Sequence, residues 1–501
     1  MKRLLYLLFW VFLPLLVGCA KDNIVHIDLF ENDDSDDDIH NTVFTQIVYV
    51  VFSTEGNAAV TGTNEDFQVT VTCNDVTIVY SGDEYVMYEL CGTANDGYFK
   101  LYSAKRQGIT LNGVDLTNKN GAAINVQGTT TEPNKGKRTF IVLSNNNSLN
   151  DGTDYTDTPS GEDEKGALFC EGQLIFSGDG TLTIGASGRS GIVSDDYVII
   201  KGGVVHVVLN ANAYYDAEDS EYKSPVGLKT KDFFKMYGGR LDIVATGTGA
   251  KGISCDGNGY FKSGEVSVTT TGGNLGSSND DKSAKGIKFA GDLFFSGSKV
   301  YVSSKHHEAI EAKDLITIID GEIYSCSEAD DAINAGGDFT ISGGLVFAQS
   351  AKNDALDANG NFYIKGGVVY ANGMGVMEMS IDANSEAGCK LYLTGGTLVA
   401  LGNLEMGSSL TQSCYSALTW TSDTWYGLTI GSRTYAFKTP SDGGAPLVVS
   451  GASVPTLHSG VSVTGGTSCF DNMFFLDATF SGGASVPLTL YTNGGGPIWG
   501  N

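Results

Sequence analysis

Residues 330–352 read "DDAINAGGDFTISGGLVFAQSAK", and residues 353–375 say nearly the same again: "NDALDANGNFYIKGGVVYANGMG". A repeat this close constrains the fold more than any other feature, because each copy must make the same local structure. Aligned on the small residue that opens each unit, Gly191, Gly227, Gly252, Gly286, Ala309, Ala332 and Ala355 fall in register. The last four are 23 residues apart, and polar insertions lengthen the earlier units. Between opener and glycine turn, apolar residues alternate with others, as in Val198/Ile200, Phe234/Met236, Leu293/Phe295, Ile316/Ile318, Phe339/Ile341 and Phe362/Ile364. A second alternating pair follows the turn, for example Val300/Val302 and Val346/Ala348. Alternation with a period of two predicts strands with one buried face. A unit this short cannot close its own core, and a propeller blade needs roughly 40 residues or more. The spacing therefore predicts an all-β chain: a right-handed parallel β-helix solenoid with a period near 23 residues and a C-terminal β cap.

Composition agrees with many short strands and tight turns: 66 Gly against 9 Pro in 501 residues. Charged residues make up 18%, and the net charge is -27. A nucleic-acid binder needs a basic face, and no run of Lys and Arg supplies one, so that class is set aside. An acidic surface gathers divalent cations instead.

The N-terminus carries Lys2 and Arg3, a short apolar run, and then Leu16-Val17-Gly18-Cys19. This resembles a bacterial lipoprotein signal. It implies removal of residues 1–18, lipidation of Cys19, and anchorage at the outer membrane or cell surface without spanning it. Residues 19–42 include the acidic run "ENDDSDDDIH" and read as a solvated tether. Residues 43–400 form the repeat domain, and residues 401–501 the β cap or a small β-sandwich. The other eight cysteines form no CxxC pair; pairing of Cys73 with Cys91 or Cys389 with Cys414 stands beside free, buried thiols.

Stacked units turn equivalent positions into columns. One outward column holds Tyr301, Tyr324, Phe347 and Tyr370; a second holds Tyr260, Phe294, Thr317, Thr340 and Tyr363. Aromatic faces stack on sugar rings, and a phenol can also hydrogen-bond a sugar hydroxyl. The same ladders also occur as plain stabilisers of stacked strands, and a strip covered by an inserted loop or by residues 400–501 stands as an alternative. An acidic column holds Glu308, Asp331 and Asp354 before the openers, Glu311, Asn334 and Asp357 after them, and Asp330 beside them. Carboxylates stacked about 4.8 Å apart repel. They are screened by solvent, raised in pKa, or joined by a hard cation, and Ca2+ takes six to eight oxygen ligands of this kind. Lys285 and Lys288 occupy the same two positions one unit earlier and face Glu308 and Glu311. No nucleophile constellation emerges, and His306-His307 reads as an exposed turn.

The blocks "LNGVDLTNKNGAAINVQG" (111–128) and "FIVLSNNNSLNDGTDYTD" (140–157), with the following "GI...GG..V" units, resemble bacterial carbohydrate-binding β-helix proteins, many of them lipoproteins. The resemblance covers roughly residues 45–400. It implies a pectate-lyase-like β-helix, Ca2+ at acidic turns, and binding of plant-type polysaccharides. The expected function is that of a non-catalytic, surface-anchored polysaccharide-binding lipoprotein. Two alternatives stand beside it: a Ca2+-dependent lyase acting on uronate glycans, and a structural or adhesive surface protein. A lyase needs a base to take the α-proton, and lysines beside carboxylates are poor bases.

Overall fold

A computed structural model describes residues 34–128, 138–156, 158–159, 162–217, 219–276, 282–374, 378–406 and 408–492. The chain divides into two compact units, Met1–Asp34 and Ser35–Asn501. The lipoprotein signal, Cys19 and most of the acidic tether lie outside the described residues.

The alternating residues form strands because one face of each is apolar and the turns between them bend where glycine permits. At Gly344 the backbone has φ +76°, and a Cβ would stand 2.8 Å from the Gly321 carbonyl oxygen. Only a residue without a Cβ takes that turn and that approach without strain. The pairs read as inward are buried: Leu293, Phe295, Ile316, Ile318, Phe339, Ile341, Phe362 and Ile364 are each 0% exposed. Strands pair in parallel and in register, so Ile287, Ile310, Ile333 and Leu356 stack in one column. Inward residues of the two large sheets share a single apolar core.

The pairings correct the expected architecture. One right-handed parallel β-helix solenoid with a period near 23 and a simple cap does not describe the molecule. The described strands divide among a 26-stranded sheet, a twelve-stranded sheet, a two-stranded hairpin and a closed four-stranded barrel. The 23-residue step holds between Asn334 and Asp357, but neighbouring layers are 36 residues apart at Ser190 and Val226 and 34 apart at Asn258 and Asp292. Part of the first insertion forms the antiparallel hairpin of Tyr214–Asp216 with Glu221–Lys223. Antiparallel pairs stand at both ends: Phe67–Thr72 with Asp75–Tyr80, and Leu447–Ser450 with Thr397–Leu401. They cover strand edges that would otherwise invite pairing with other chains. The barrel is made by Trp425–Ile430, Arg433–Lys438, Phe474–Val486 and Pro455–Cys469, all antiparallel. The only helical elements among the described residues are three 3-10 turns, and none is long and apolar enough to cross a membrane.

The blocks that carried the resemblance are architectural. Asn147 accepts from the backbone N–H groups of Gly113 and Val114 at 2.8 and 3.0 Å, and donates to the carbonyls of Ser144 and Thr181. Asp151 accepts from the N–H groups of Ser187, Gly188 and Arg189 in the next layer. These side chains satisfy buried backbone groups that the ladder leaves open. The eight described cysteines form no disulfide with one another.

Candidate functional site

Three outward faces carry the residues singled out in the sequence. The first runs along the strands Asn258–Phe261, Leu293–Ser304, Ile316–Ser327, Phe339–Ile341, Phe362–Ile364 and Leu391–Leu393. Here Tyr260, Phe294, Thr317, Thr340 and Tyr363 fall in one register column, as read from the sequence. Tyr260 and Phe294 stack with centroids 5.3 Å apart and planes at 12°. The column gains Tyr392, which the sequence reading missed. Tyr363 and Tyr392 stack at 5.0 Å and 11°. Two aromatic pairs are thus separated by two threonines, and apart from Phe294 these residues are half-exposed. Lys235 lies over Tyr260 at 5.7 Å and Lys365 over Tyr363 at 5.0 Å.

The second face carries the other ladder. Tyr301, Tyr324, Phe347 and Tyr370 do stack, at 6.0, 5.3 and 4.3 Å in turn. Its exposure, however, is corrected. Phe347 is 0% and Tyr370 1% exposed, because Phe437, Phe470 and Phe474 of the C-terminal region pack upon them. The Tyr370 hydroxyl donates to the Lys438 carbonyl. Only Tyr301 and Tyr324 reach solvent, at the end of a groove of about 440 Å³ shared with Arg240, Asp242, Glu265, Lys299 and Asp471. Within it Arg240 bonds Asp242 at 2.7 Å, and Tyr301 donates to Glu322 at 2.6 Å. Trp420 is a core residue, 5% exposed.

The third face belongs to the twelve-stranded sheet and holds the acidic column. Parallel bridges extend it beyond Asn334 and Asp357 to Asp382 and Glu405. Asp354, Asp357 and Asp382 offer oxygens within 4.8 Å of one another. Asn334 donates to Asp331 at 2.8 Å and to Asp357 at 3.0 Å, which holds two carboxylates together. Burial, and then the charges of Asp357, Asp330 and Asp354 against the Asn334 bond, push Asp331 up to about 8. Burial likewise pushes Asp354 up to about 7, although the Met379 N–H opposes it. Asp357 and Asp382 are raised by the same burial, Asp382 further by its bond with Glu405.

Glu308 and Glu311 differ. Lys285 bonds them at 3.1 and 2.6 Å, and Lys313 also bonds Glu311. Burial alone would raise Glu311, yet the two lysines hold it below the usual carboxylate range. These two carboxylates already have cations and do not fit a metal as the upper cluster does. Asp330 is similarly engaged: His307 at 2.9 Å and Asn353 at 2.9 Å offset its burial and keep it low. Among the described residues no cation pairs with the clustered carboxylates of Asp331, Asp354, Asp357 and Asp382, and an all-oxygen set of this kind suits a hard divalent ion. Asp382 and Glu405 escaped the sequence reading because the step from Leu356 to Ile381 departs from the 23-residue period. The repeated triplet Ile333-Asn334-Ala335, Leu356-Asp357-Ala358, Ile381-Asp382-Ala383 was the available signal.

Residues 72–332 match the family model described as "Carbohydrate-binding domain-containing protein". Among solved structures, the polysaccharide lyase-like protein from C. thermocellum is similar at 19% identity, over 56% of this chain and 94% of that one, with a TM-score of 0.35. No curated protein matches.

Proposed function

The chain belongs to the carbohydrate-binding domain-containing protein family, and on that premise we propose that it binds a polysaccharide without cleaving it. One observation carries the choice of surface: the stacked pairs Tyr260/Phe294 and Tyr363/Tyr392 lie in one outward column, the three tyrosines half-exposed and Phe294 buried beside Tyr260. Flat aromatic faces held by strand register receive sugar rings with little ordering cost, because the strands fix them beforehand. Thr317 and Thr340 offer hydroxyls between the pairs. Tyr301 and Tyr324 add a second, smaller contact at the mouth of the charged groove. Phe347 and Tyr370 serve the core instead.

Ca2+ belongs to the same proposal. Asp331, Asp354, Asp357 and Asp382 would hold it, with Asn334 beside them. Bound there, the ion would neutralise the stacked carboxylates and stiffen the turns, and a free coordination position would suit a uronate. A lipid on Cys19 would keep the protein at the outer membrane or cell surface, with the residues before Asp36 as a tether, since Asp36 and Asp37 are held on the domain by Arg106 and Arg138.

The lyase reading draws on one observation. Burial, with Lys288 and Lys285 nearby, pushes Lys251 down to about 7, which is the range of a general base. Incubating the protein with soluble and insoluble polysaccharides, with Ca2+ or chelator, separates the readings. Binding predicts retention with no rise in absorbance from unsaturated products. A product signal that disappears in Lys251→Gln would establish the lyase.

A further inference from the structure

The third face carries a second charged cluster, opposite in sign to the first. Lys229 and Lys288 share one outward register column with Ser254 between them, and Lys251 opens the layer that contains Ser254. Adjacent layers are about 4.8 Å apart, which sets Lys229 and Lys288 about 10 Å from each other. The next lysine, Lys285, is neutralised by Glu308 and Glu311. The other three are not. Lys251 Nζ reaches the Ser224 hydroxyl at 2.7 Å, a neutral partner. Among the described residues no carboxylate forms an ion pair with Lys229, Lys251 or Lys288. Three acids lie nearby without pairing with them: Asp195 is bonded by Lys165 at 2.7 Å and Lys231 at 3.1 Å, Glu311 by Lys285 and Lys313, and Asp256 acts on Lys229 and Lys288 from a distance. Burial depresses all three lysines and neighbouring ammonium groups add to it, while Asp256 opposes the fall at Lys229 and Glu311 and Asp256 oppose it at Lys288.

Grouped, part-buried cations with no carboxylate bonded directly to them are costly, and an anion that enters between them relieves the cost. On a chain of net charge -27, such a local excess of positive charge stands out. The Lys288 column continues directly to Glu311, Asn334 and Asp357. A chain laid along it would meet ammonium groups first and the acidic cluster next.

We propose that Lys229, Lys251 and Lys288 form a subsite for the anionic groups of an acidic glycan, uronate carboxylates or sulfate esters. The inference rests on the glycan-binding reading and narrows its ligand class. The subsite selects charge, while the aromatic face receives sugar rings of either kind. It was hidden in the sequence because these lysines are far apart in the chain and only strand register brings them together.

The test compares the full mature protein with K229Q/K288Q and K229R/K288R at fixed Ca2+. Affinity electrophoresis through polygalacturonate, dextran sulfate and a neutral β-glucan reads binding, and thermal melting checks the fold. The Gln variant should lose at least tenfold in affinity for one or both acidic polymers, with neutral binding and melting unchanged. The Arg variant should retain acidic binding. Which acidic polymer is affected tells carboxylate from sulfate. Unchanged acidic binding in the Gln variant would overturn the subsite, as would an equal loss on the neutral glucan. Wild-type protein that binds only the neutral glucan would overturn the subsite and leave the parent reading intact. Wild-type protein retained by none of the three would overturn both.

Discussion

At Asp354, burial beside other carboxylates holds the proton on to about pH 7. Asp354→Asn keeps an oxygen for the Met379 N–H and removes one charge from the cluster. We expect it to stabilise the metal-free protein at pH 8 by about 1–2 kcal/mol, after allowance for partial solvent screening. The same change should abolish most of the rise in melting temperature that Ca2+ produces. Differential scanning calorimetry with and without chelator checks both. Lys285 is the reverse case. Its side chain is 8% exposed between Glu308 and Glu311, and Lys285→Met leaves two buried carboxylates short of a cation. The expected cost is about 3 kcal/mol in urea unfolding; a cost below about 1 kcal/mol would show that Lys313 and His307 suffice. The pairing of Lys285 with Glu308 was legible in the sequence, since register stacks position on position; register also set Lys288 against Glu311, which Lys285 and Lys313 bond instead.

Among the elements, the turn that follows Pro455–Cys469 decides what the Tyr301–Tyr370 ladder is for. Phe470, Asp471 and Asn472 have φ of 52°, 52° and 64°. Such left-handed residues cost free energy, and burial of the Phe470 ring, 2% exposed, offsets it. The ring lies 6.0 Å from Tyr324 and 5.2 Å from Phe347. Phe470→Ala should destabilise the protein by about 3 kcal/mol and leave glycan retention unchanged. Increased retention would mean that the covered ladder is itself a binding surface. The sequence showed the ladder and its stacking, because period and alternation are local properties. It left open a cover by an inserted loop or by residues 400–501 but did not show that Phe437, Phe470 and Phe474 make it, because that region has no repeat to align. Nor did it show the barrel: "LTWTSDTWYGLTIGSRTYAFKTP" alternates like any antiparallel strands, and closure depends on partners rather than pattern. The uniform 23-residue solenoid failed for a similar reason, since insertions and terminal antiparallel strands break the period without disturbing the alternation.

At the scale of the whole molecule, the charges are segregated along one face, lysines in its earlier layers and carboxylates in its later ones. Without divalent ions this sets a pH dependence. Asp331 and Asp354 carry folded-state values of about 8 and about 7, above the ordinary carboxylate value of about 3.9. The folded state therefore holds more protons than the unfolded state between those limits, and stability falls as pH rises from about 4 through 8. Ca2+ should cancel the fall, with an effect that grows with pH; a melting temperature flat across that range in chelator would contradict the raised values. The central claim is that the open aromatic column receives sugar rings. The most direct test is affinity electrophoresis of the Tyr363→Ala/Tyr392→Ala variant in an immobilised polysaccharide that retains the wild-type protein. Loss of two stacking faces at about 1 kcal/mol each predicts roughly tenfold or greater weakening, with the melting temperature little changed because both rings are half-exposed. Retention equal to that of the wild-type protein would contradict the account.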